Sequence, residues 1–256
     1  MCIRDREKIT LSKKVLITGA NKGIGFETAR QLGEQDWYIL LGARNEQRGM
    51  EAVNTLQREG INVKWVRIDL NHDETIDSAA QYIRAHHSDI NVLINNAGVS
   101  GNMQAKPLDV DVDELRSLTE VNFFGNFQMI KAFTPILARN KGRIVNLTIP
   151  LKPSSFFEPF SYIATKEPLN SMIKLFARQF KKSKIPVEIF GIMPGGVTTD
   201  LNNHQKGLLM RTVSEAAQSI VKVVTDNRNH NGKILLRVTP FKPVSYTHLR
   251  AHETLR

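Results

Sequence analysis

The feature that most restricts this chain is the exchange of two hydrophobic patterns along it. Short, nearly continuous apolar runs rich in Val, Ile and Leu (KKVLITGA, WYILLGA, VKWVRIDL, INVLINNAG, GRIVNLT, IPVEIFGIM and GKILLRV) are separated by stretches with helical spacing. Ile24, Thr28, Ala29 and Leu32 mark the first helix, and residues 46–59, stopped at Gly60, the second. Residues 73–87, about 112–139, about 160–182 and SEAAQSIVKVVT mark the others. A strand without clean polar alternation is buried on both faces, so it belongs in a parallel sheet covered by helices on each side. Right-handed crossovers then give an α/β, doubly wound fold with a sheet of about seven strands. No repeat, low-complexity tract or linker divides the chain, so residues 9–243 are read as one domain. The ends, MCIRDR and VSYTHLRAHETLR, follow neither pattern and resemble translated sequencing-adapter readthrough. Residues 1–8 and 244–256 are therefore expected to be non-native or disordered, with ordinary frayed termini as the other reading.

The first strand ends in TGANKGIG, residues 18–25. Gly19 can take backbone angles that a Cβ forbids, Gly23 lets the backbone approach a pyrophosphate, and Gly25 lets the helix pack close. The N-terminus of the helix supplies free N–H groups and a partial positive charge to phosphates. A glycine motif between a strand and a helix in the first βαβ unit is the context of a Rossmann dinucleotide site. Gly19, Asn21, Lys22, Gly23, Ile24 and Gly25 are its candidate contacts. NAD-type sites place an acid after the second strand for the ribose 2′-hydroxyl. This chain has Arg44 there and Lys22 in the glycine turn, two cations able to clamp a 2′-phosphate. NADP(H) is thus favoured over NAD(H); the plainer reading of Arg44 is a solvated surface arginine.

Composition narrows the function classes. The formal net charge is +10, and six cations with one acid fall between Lys166 and Lys184. That density suggests a polyanion, yet no aromatic stacking platform or recognition-helix motif accompanies it, which argues against nucleic acid. Cys2 is the single cysteine, so no internal disulfide and no cysteine-built zinc site is expected. His86 and His87 near a helix C-terminus, where cations are favoured, are not read as metal ligands. No apolar run approaches the ~18 residues that span a membrane, and the start has no secretory h-region. A cytoplasmic protein is expected.

Three motifs in order, TGANKGIG, NNAG (Asn95 to Gly98) and YIATK (Tyr162 to Lys166), resemble the short-chain dehydrogenase/reductase family over about residues 13–238. The GANKGIG, GAR and VLINNAG variants are similar to its carbonyl-reductase-like members. The residues themselves show that Tyr162 and Lys166, four apart, share a helix face. An ammonium beside a phenol lowers its pKa from ~10 toward working pH, which suits proton exchange accompanying hydride transfer. The resemblance implies further roles. Tyr162 and Lys166 are catalytic and touch the cofactor, with Lys166 holding the nicotinamide ribose. Asn122 supports a water in the proton relay, a helix-bending structural asparagine being the alternative. Asp69 and Leu70 flank the adenine, unless Asp69 is simply a turn acid. Asn96, Ala97 and Gly98 line the adenosine ribose. Pro194, Gly195, Val197 and Thr199 in PGGVTTD receive the nicotinamide carboxamide. No metal is implied, and residues 201–212 form a substrate lid.

Two positions depart from the family pattern. The resemblance implies a serine thirteen residues before Tyr162, but that position is Ile149. Such a hydroxyl helps stabilise a developing oxyanion, and losing one donor typically costs ~3–4 kcal/mol. Thr148, Ser154 or Ser155 are the candidates to replace it, Thr148 only through a bulge, because neighbouring strand residues face opposite ways. Pro168 falls inside the helix that carries Tyr162 and Lys166; a start near Ile163 removes most of its cost, and an earlier start puts a kink beside the pair. Sequencing errors at Ile149 and at Glu167–Pro168 are the plain alternative. The expected function is an NADP(H)-dependent oxidoreductase acting on a small carbonyl or alcohol, impaired by Ile149. The competing reading is a catalytically weak NADP(H)-binding sensor or scaffold. Homo-oligomerisation stays open.

Overall fold

The apolar runs become the strands of a single sheet: β1 (Lys14–Thr18), β2 (Tyr38–Ala43), β3 (Val63–Arg67), β4 (Val92–Asn95), β5 (Arg143–Leu147), β6 (Glu188–Met193) and β7 (Ile234–Leu236). The computed structural model describes residues 12–149, 159–199, 210–236 and 244–245. These strands run parallel in the order β3-β2-β1-β4-β5-β6-β7. A two-residue β8 (Val244–Ser245), at the start of the tail expected to be non-native or disordered, pairs antiparallel with β7. Strand order reverses between β1 and β4, and a doubly wound sheet opens its ligand crevice at that switch, outside the strands' C-terminal ends.

Strand alternation sorts the core into two layers. Val15, Ile17, Ile39 and Leu41 pack against α1 (Gly23–Gly33), α2 (Glu46–Arg58) and α7 (Val213–Thr225). Leu16, Leu40, Leu93 and Ile144 pack against α3 (Asp73–His86), α5 (Asn126–Ala138) and α6 (Phe160–Lys182). Helix starts follow capping chemistry. Asn45 Oδ1 accepts from Arg48 N (2.9 Å) before α2, Asp111 Oδ1 from Asp113 N (2.9 Å) before α4 (Val112–Thr119), and Thr212 and Glu215 form a capping box at α7. Gly60, at φ +81°, ends α2 where the sequence places the stop.

The sequence predicts one helix over 112–139; the structure divides it. Between α4 and α5 the residues Glu120–Gly125 take π-helical geometry. A π turn displaces carbonyls from the regular ladder, and Asn126 Nδ2 donates to two of them, Val121 O (3.2 Å) and Asn122 O (3.0 Å). Gly125 completes the turn by close approach, since a Cβ there would stand 2.6 Å from Leu70 Cβ. α6 starts at Phe160 rather than near Ile163, which leaves Pro168 well inside it. Pro168 and Ala164 are both exposed, so the carbonyl that loses its N–H partner sits on the water-facing side of the helix.

One ion-pair knot closes the sheet edge remote from the crevice. Arg143, first in β5, pairs through Nε with Glu188 Oε2 (2.7 Å) of β6. Its Nη1 donates to the carbonyls of Val223 (3.2 Å), Val224 (3.3 Å) and Asp226 (2.7 Å), capping the C-terminus of α7, and Nη2 donates to Arg228 O (3.0 Å). Removing this guanidinium leaves a largely buried carboxylate and several carbonyls without their donor. Arg143→Met is expected to cost about 2–4 kcal/mol and to lower Tm on the order of 5–10 °C. A melt within 1–2 °C of the wild type, measured by circular dichroism, contradicts this reading of the knot.

Candidate active site

The glycine turn at the end of β1 carries the first part of the site. Gly19 and Gly23 take φ of +63° and +59°, values that L side chains rarely adopt. A Cβ on Gly19 would stand 3.0 Å from Ala97 Cα; one on Gly25 would overlap the Asn96 amide and stand 2.7 Å from Gly19 O. These two glycines let the turn after β1, the start of α1 and the turn after β4 share one small volume. Gly23 differs: a Cβ there would meet nothing within 4 Å, so the space over it is open. Hydrogen bonds lock the arrangement. Thr18 Oγ1 accepts from Asn96 N (3.0 Å) and Ala97 N (3.1 Å), while Asn96 Nδ2 donates to Thr18 O (2.9 Å) and Gly19 O (3.2 Å). Unlike α2, α4 and α7, α1 has no side-chain cap and no acid in its first turn. Its uncapped N-terminus beneath open space is the feature an anionic ligand needs.

Beside this turn lies an open groove of about 550 Å³ between α1 and α2, lined by Asn21, Lys22, Phe26, Arg48, Glu51 and Thr55. Arg44 is exposed at the end of β2. Arg48, in the first turn of α2, is a cation that the sequence reading passed over. The available signal was its place four residues after Arg44, directly behind the Asn45 cap. The groove also holds a carboxylate, Glu51, whose Oε1 accepts from Gln47 Nε2 (3.2 Å). Asp69 is partly buried and its Oδ1 accepts from Asn71 N (3.2 Å), the geometry of a turn acid; Leu70, 5% exposed, backs the π turn.

Two of the residues expected to carry the chemistry, Asn122 and Lys166, meet at Gly98. A Cβ on Gly98 would stand 3.1 Å from both Asn122 Oδ1 and Lys166 Nζ. Asn122 is fully buried on the π turn; its Oδ1 accepts from Val99 N (3.0 Å) and its Nδ2 donates to Val99 O (2.7 Å) and Thr165 Oγ1 (3.0 Å). One amide thereby ties the NNAG turn to α6 one residue from Lys166. Lys166, 3% exposed, donates from Nζ to Leu147 O (3.1 Å) at the end of β5. Burial pushes the Lys166 pKa down to about 8 and the Tyr162 phenol up to about 12. The tyrosine shift is opposite to the lowering expected from the four-residue spacing. Spacing fixes a shared helix face but not dryness, and the desolvation of the phenolate dominates here. A similar reversal occurs at His87, where burial, then Lys14 and Lys64, push the pKa down at a helix end thought to favour cations.

At position 149 the side chain is apolar and 5% exposed. The neighbouring Thr148 hydroxyl donates to Asn170 Oδ1 (2.7 Å) on α6, and Asn170 Nδ2 donates to Ile149 O (3.3 Å). Thr148 is thus committed to holding β5 against α6. Ser154, Ser155 and most of the expected lid, residues 201–209, lie outside the described residues. The PGG turn emerges from β6 at the same edge of the sheet: Pro194 and Val197 are buried, Thr199 is partly exposed, and Gly195 takes φ +92°.

The chain is similar to known proteins of one family. A family model described as short chain dehydrogenase matches residues 13–207. The short-chain dehydrogenase anuI of Penicillium roqueforti is 31% identical over 229 residues, covering 83% of this chain and 88% of that protein. Carbonyl reductase [NADPH] 1 of Rattus norvegicus is 30% identical, covering 72% of this chain and 70% of that protein. The match to carbonyl reductase [NADPH] 3 of the same species, at 36% identity, spans only about half of that protein (49%). Among solved structures, the NADPH-bound carbonyl reductase from chicken fatty liver superimposes with a TM-score of 0.78 at 22% identity, covering 88% of this chain and 96% of that one. Among the described residues, no helix is long and apolar enough to cross a membrane.

The Lys166 environment makes a thermodynamic prediction. Between about pH 8 and 10.5 the unfolded chain keeps a proton on this lysine that the folded chain has released, so stability rises with pH through that window. The full effect is roughly 3 kcal/mol. Tyr162 works in the opposite sense between pH 10 and about 12, where the folded state retains the proton. Urea unfolding of the wild type and Lys166→Met from pH 7 to 10 isolates the lysine: their stability difference should shift toward the wild type as pH rises. Parallel curves are the contrary outcome.

Proposed function

The chain belongs to the short chain dehydrogenase family, and on that premise we propose that it is an NADP(H)-dependent oxidoreductase of small carbonyl or alcohol compounds. The observation that carries the reading is the meeting of Asn122, Lys166 and the NNAG turn at Gly98, on the sheet edge that also holds the uncapped N-terminus of α1. The residues present fit a phosphorylated dinucleotide. The N-terminus of α1, from Gly23, has no side-chain cap and the space over Gly23 is open, which suits a pyrophosphate. Lys22, Arg44 and Arg48 supply cations for a 2′-phosphate. Asp69 and Leu70 would border the adenine, and Asn96, Ala97 and Gly98 the adenosine ribose. Pro194, Gly195, Val197 and Thr199 would take the carboxamide end. NADPH-dependent carbonyl reductases among the similar proteins support the same cofactor and substrate class.

When bound, the nicotinamide supplies or accepts the hydride. The chain's own part is the proton and the geometry. With its pKa near 12, Tyr162 holds its proton at neutral pH, so it serves as general acid to an oxygen that gains charge during reduction. Lys166 orients ribose hydroxyls and, when protonated, makes the phenol a stronger acid. Asn122 fixes Val99 and Thr165, and through them the spacing of both neighbours.

The buried, apolar Ile149 favours a second reading, a protein that binds NADP(H) and turns it over poorly. One experiment separates the two. NADPH oxidation is followed over a panel of small carbonyls for the wild type, Tyr162→Phe and Ile149→Ser. Tyr162→Phe should fall to the uncatalysed rate while still binding NADPH. Ile149→Ser should raise kcat/KM on the order of 100-fold, the value of one oriented donor to an oxyanion. A wild type that binds NADPH but exceeds the Tyr162→Phe rate on no substrate, with or without serine at 149, favours the binding protein. For the cofactor, Arg48→Glu should weaken NADPH binding at least tenfold and leave NADH binding nearly unchanged, in fluorescence titrations at fixed salt; equal effects on both cofactors would refute the phosphate role.

A further inference from the structure

Arg211 stands near the end of the stretch expected to form a lid and belongs to none of the three motifs, yet it joins the turn after β6 to the start of α7. Its Nη1 donates to Pro194 O (2.9 Å), while Nη2 donates to Glu215 O (2.7 Å) and Ser219 Oγ (2.8 Å). Its backbone does the same work. Arg211 N donates to Gly196 O (2.8 Å), Thr198 N donates to Arg211 O (3.2 Å), and Val197 and Arg211 form a parallel bridge. Met210 closes over the turn, because a Cβ on Gly196 would stand 2.8 Å from its Sδ. Pro194 offers a carbonyl but no N–H, and Gly195 turns the chain at φ +92°.

We infer that Arg211 is a positioning residue for the cofactor's nicotinamide end: its guanidinium fork and backbone hold the Pro194–Thr199 turn in the shape that receives the carboxamide. This rests on the NADP(H) reading above. The requirement is for arginine, because the acceptors lie on two elements and a planar fork reaches both at once, whereas a lysine ammonium is a single point of donation. The glycine turn and the groove of Lys22 and Arg48 lie on the other side of the β1–β4 switch and do not depend on this contact. The effect of losing Arg211 should therefore divide the cofactor in two.

The test compares NADPH with 2′,5′-ADP, which keeps the adenosine and both phosphate positions but lacks the nicotinamide half. Arg211→Met should weaken NADPH tenfold or more and 2′,5′-ADP less than twofold. Arg211→Lys should fall between wild type and Arg211→Met for NADPH. Ser219→Ala, which removes one anchor of the fork and leaves the fold intact, should weaken NADPH two- to threefold and spare 2′,5′-ADP, keeping the test open if Arg211→Met fails to fold. Parallel weakening of both ligands, or no weakening of NADPH, overturns the inference while the cofactor reading stands. A wild type that binds neither ligand overturns the cofactor reading and the inference with it.

Discussion

The close approach of three turns at the β1–β4 switch is the constraint on which the site depends. It is steric before it is polar. Gly19 and Gly25 have no side chains to keep Asn96 and Ala97 away, and Asn96 and Ala97 then donate four hydrogen bonds to Thr18 and Gly19 across the gap. Those bonds use the polar groups of the turns internally, and no side chain caps the N-terminus of α1. A single alanine at Gly25 would push the Asn96 amide off its acceptors, and both the phosphate end and the NNAG end of the crevice would move together.

From that switch the arrangement passes to α6 through one buried amide. Asn122 spends its side chain on Val99 and Thr165. It can do so because the π turn rotates the helix there, and Asn126 compensates the displaced carbonyls. The π turn thus places this amide between the turn after β4 and α6.

Strands, helices, the glycine turn and the Tyr162–Lys166 face were legible in the sequence because each is a local pattern: an apolar run, a period, a spacing of four. The π turn was not, since one extra residue in a turn barely disturbs apolar periodicity over a long helix. Arg48, Asn170 and Arg211 were not, because each is a polar residue whose partners are set by packing rather than by its own neighbours. Thr148 shows the same limit. Its position in sequence makes its hydroxyl a stand-in donor, but the hydroxyl donates instead to Asn170, twenty-two residues away. The direction of the tyrosine shift was hidden for a related reason: spacing states which side chains share a face, and only the packed structure states how much water reaches them.

α7 connects these observations. Arg143 caps its C-terminus on one edge of the sheet, and Arg211 grips its first turns on the other. Between them Ile220, Val221, Val223 and Val224 pack in the layer that holds Ala29 and Leu32 of α1, and Gln31 Nε2 reaches Ser214 O (3.1 Å). α1 and α7 therefore share one packed layer. α1 begins at the glycine turn, and α7 holds the turn after β6. The two turns proposed for opposite ends of the dinucleotide are thus joined by a packed helix pair as well as by the sheet, and each is held by hydrogen bonds of its own, so that ordering which binding would otherwise cost is made in folding.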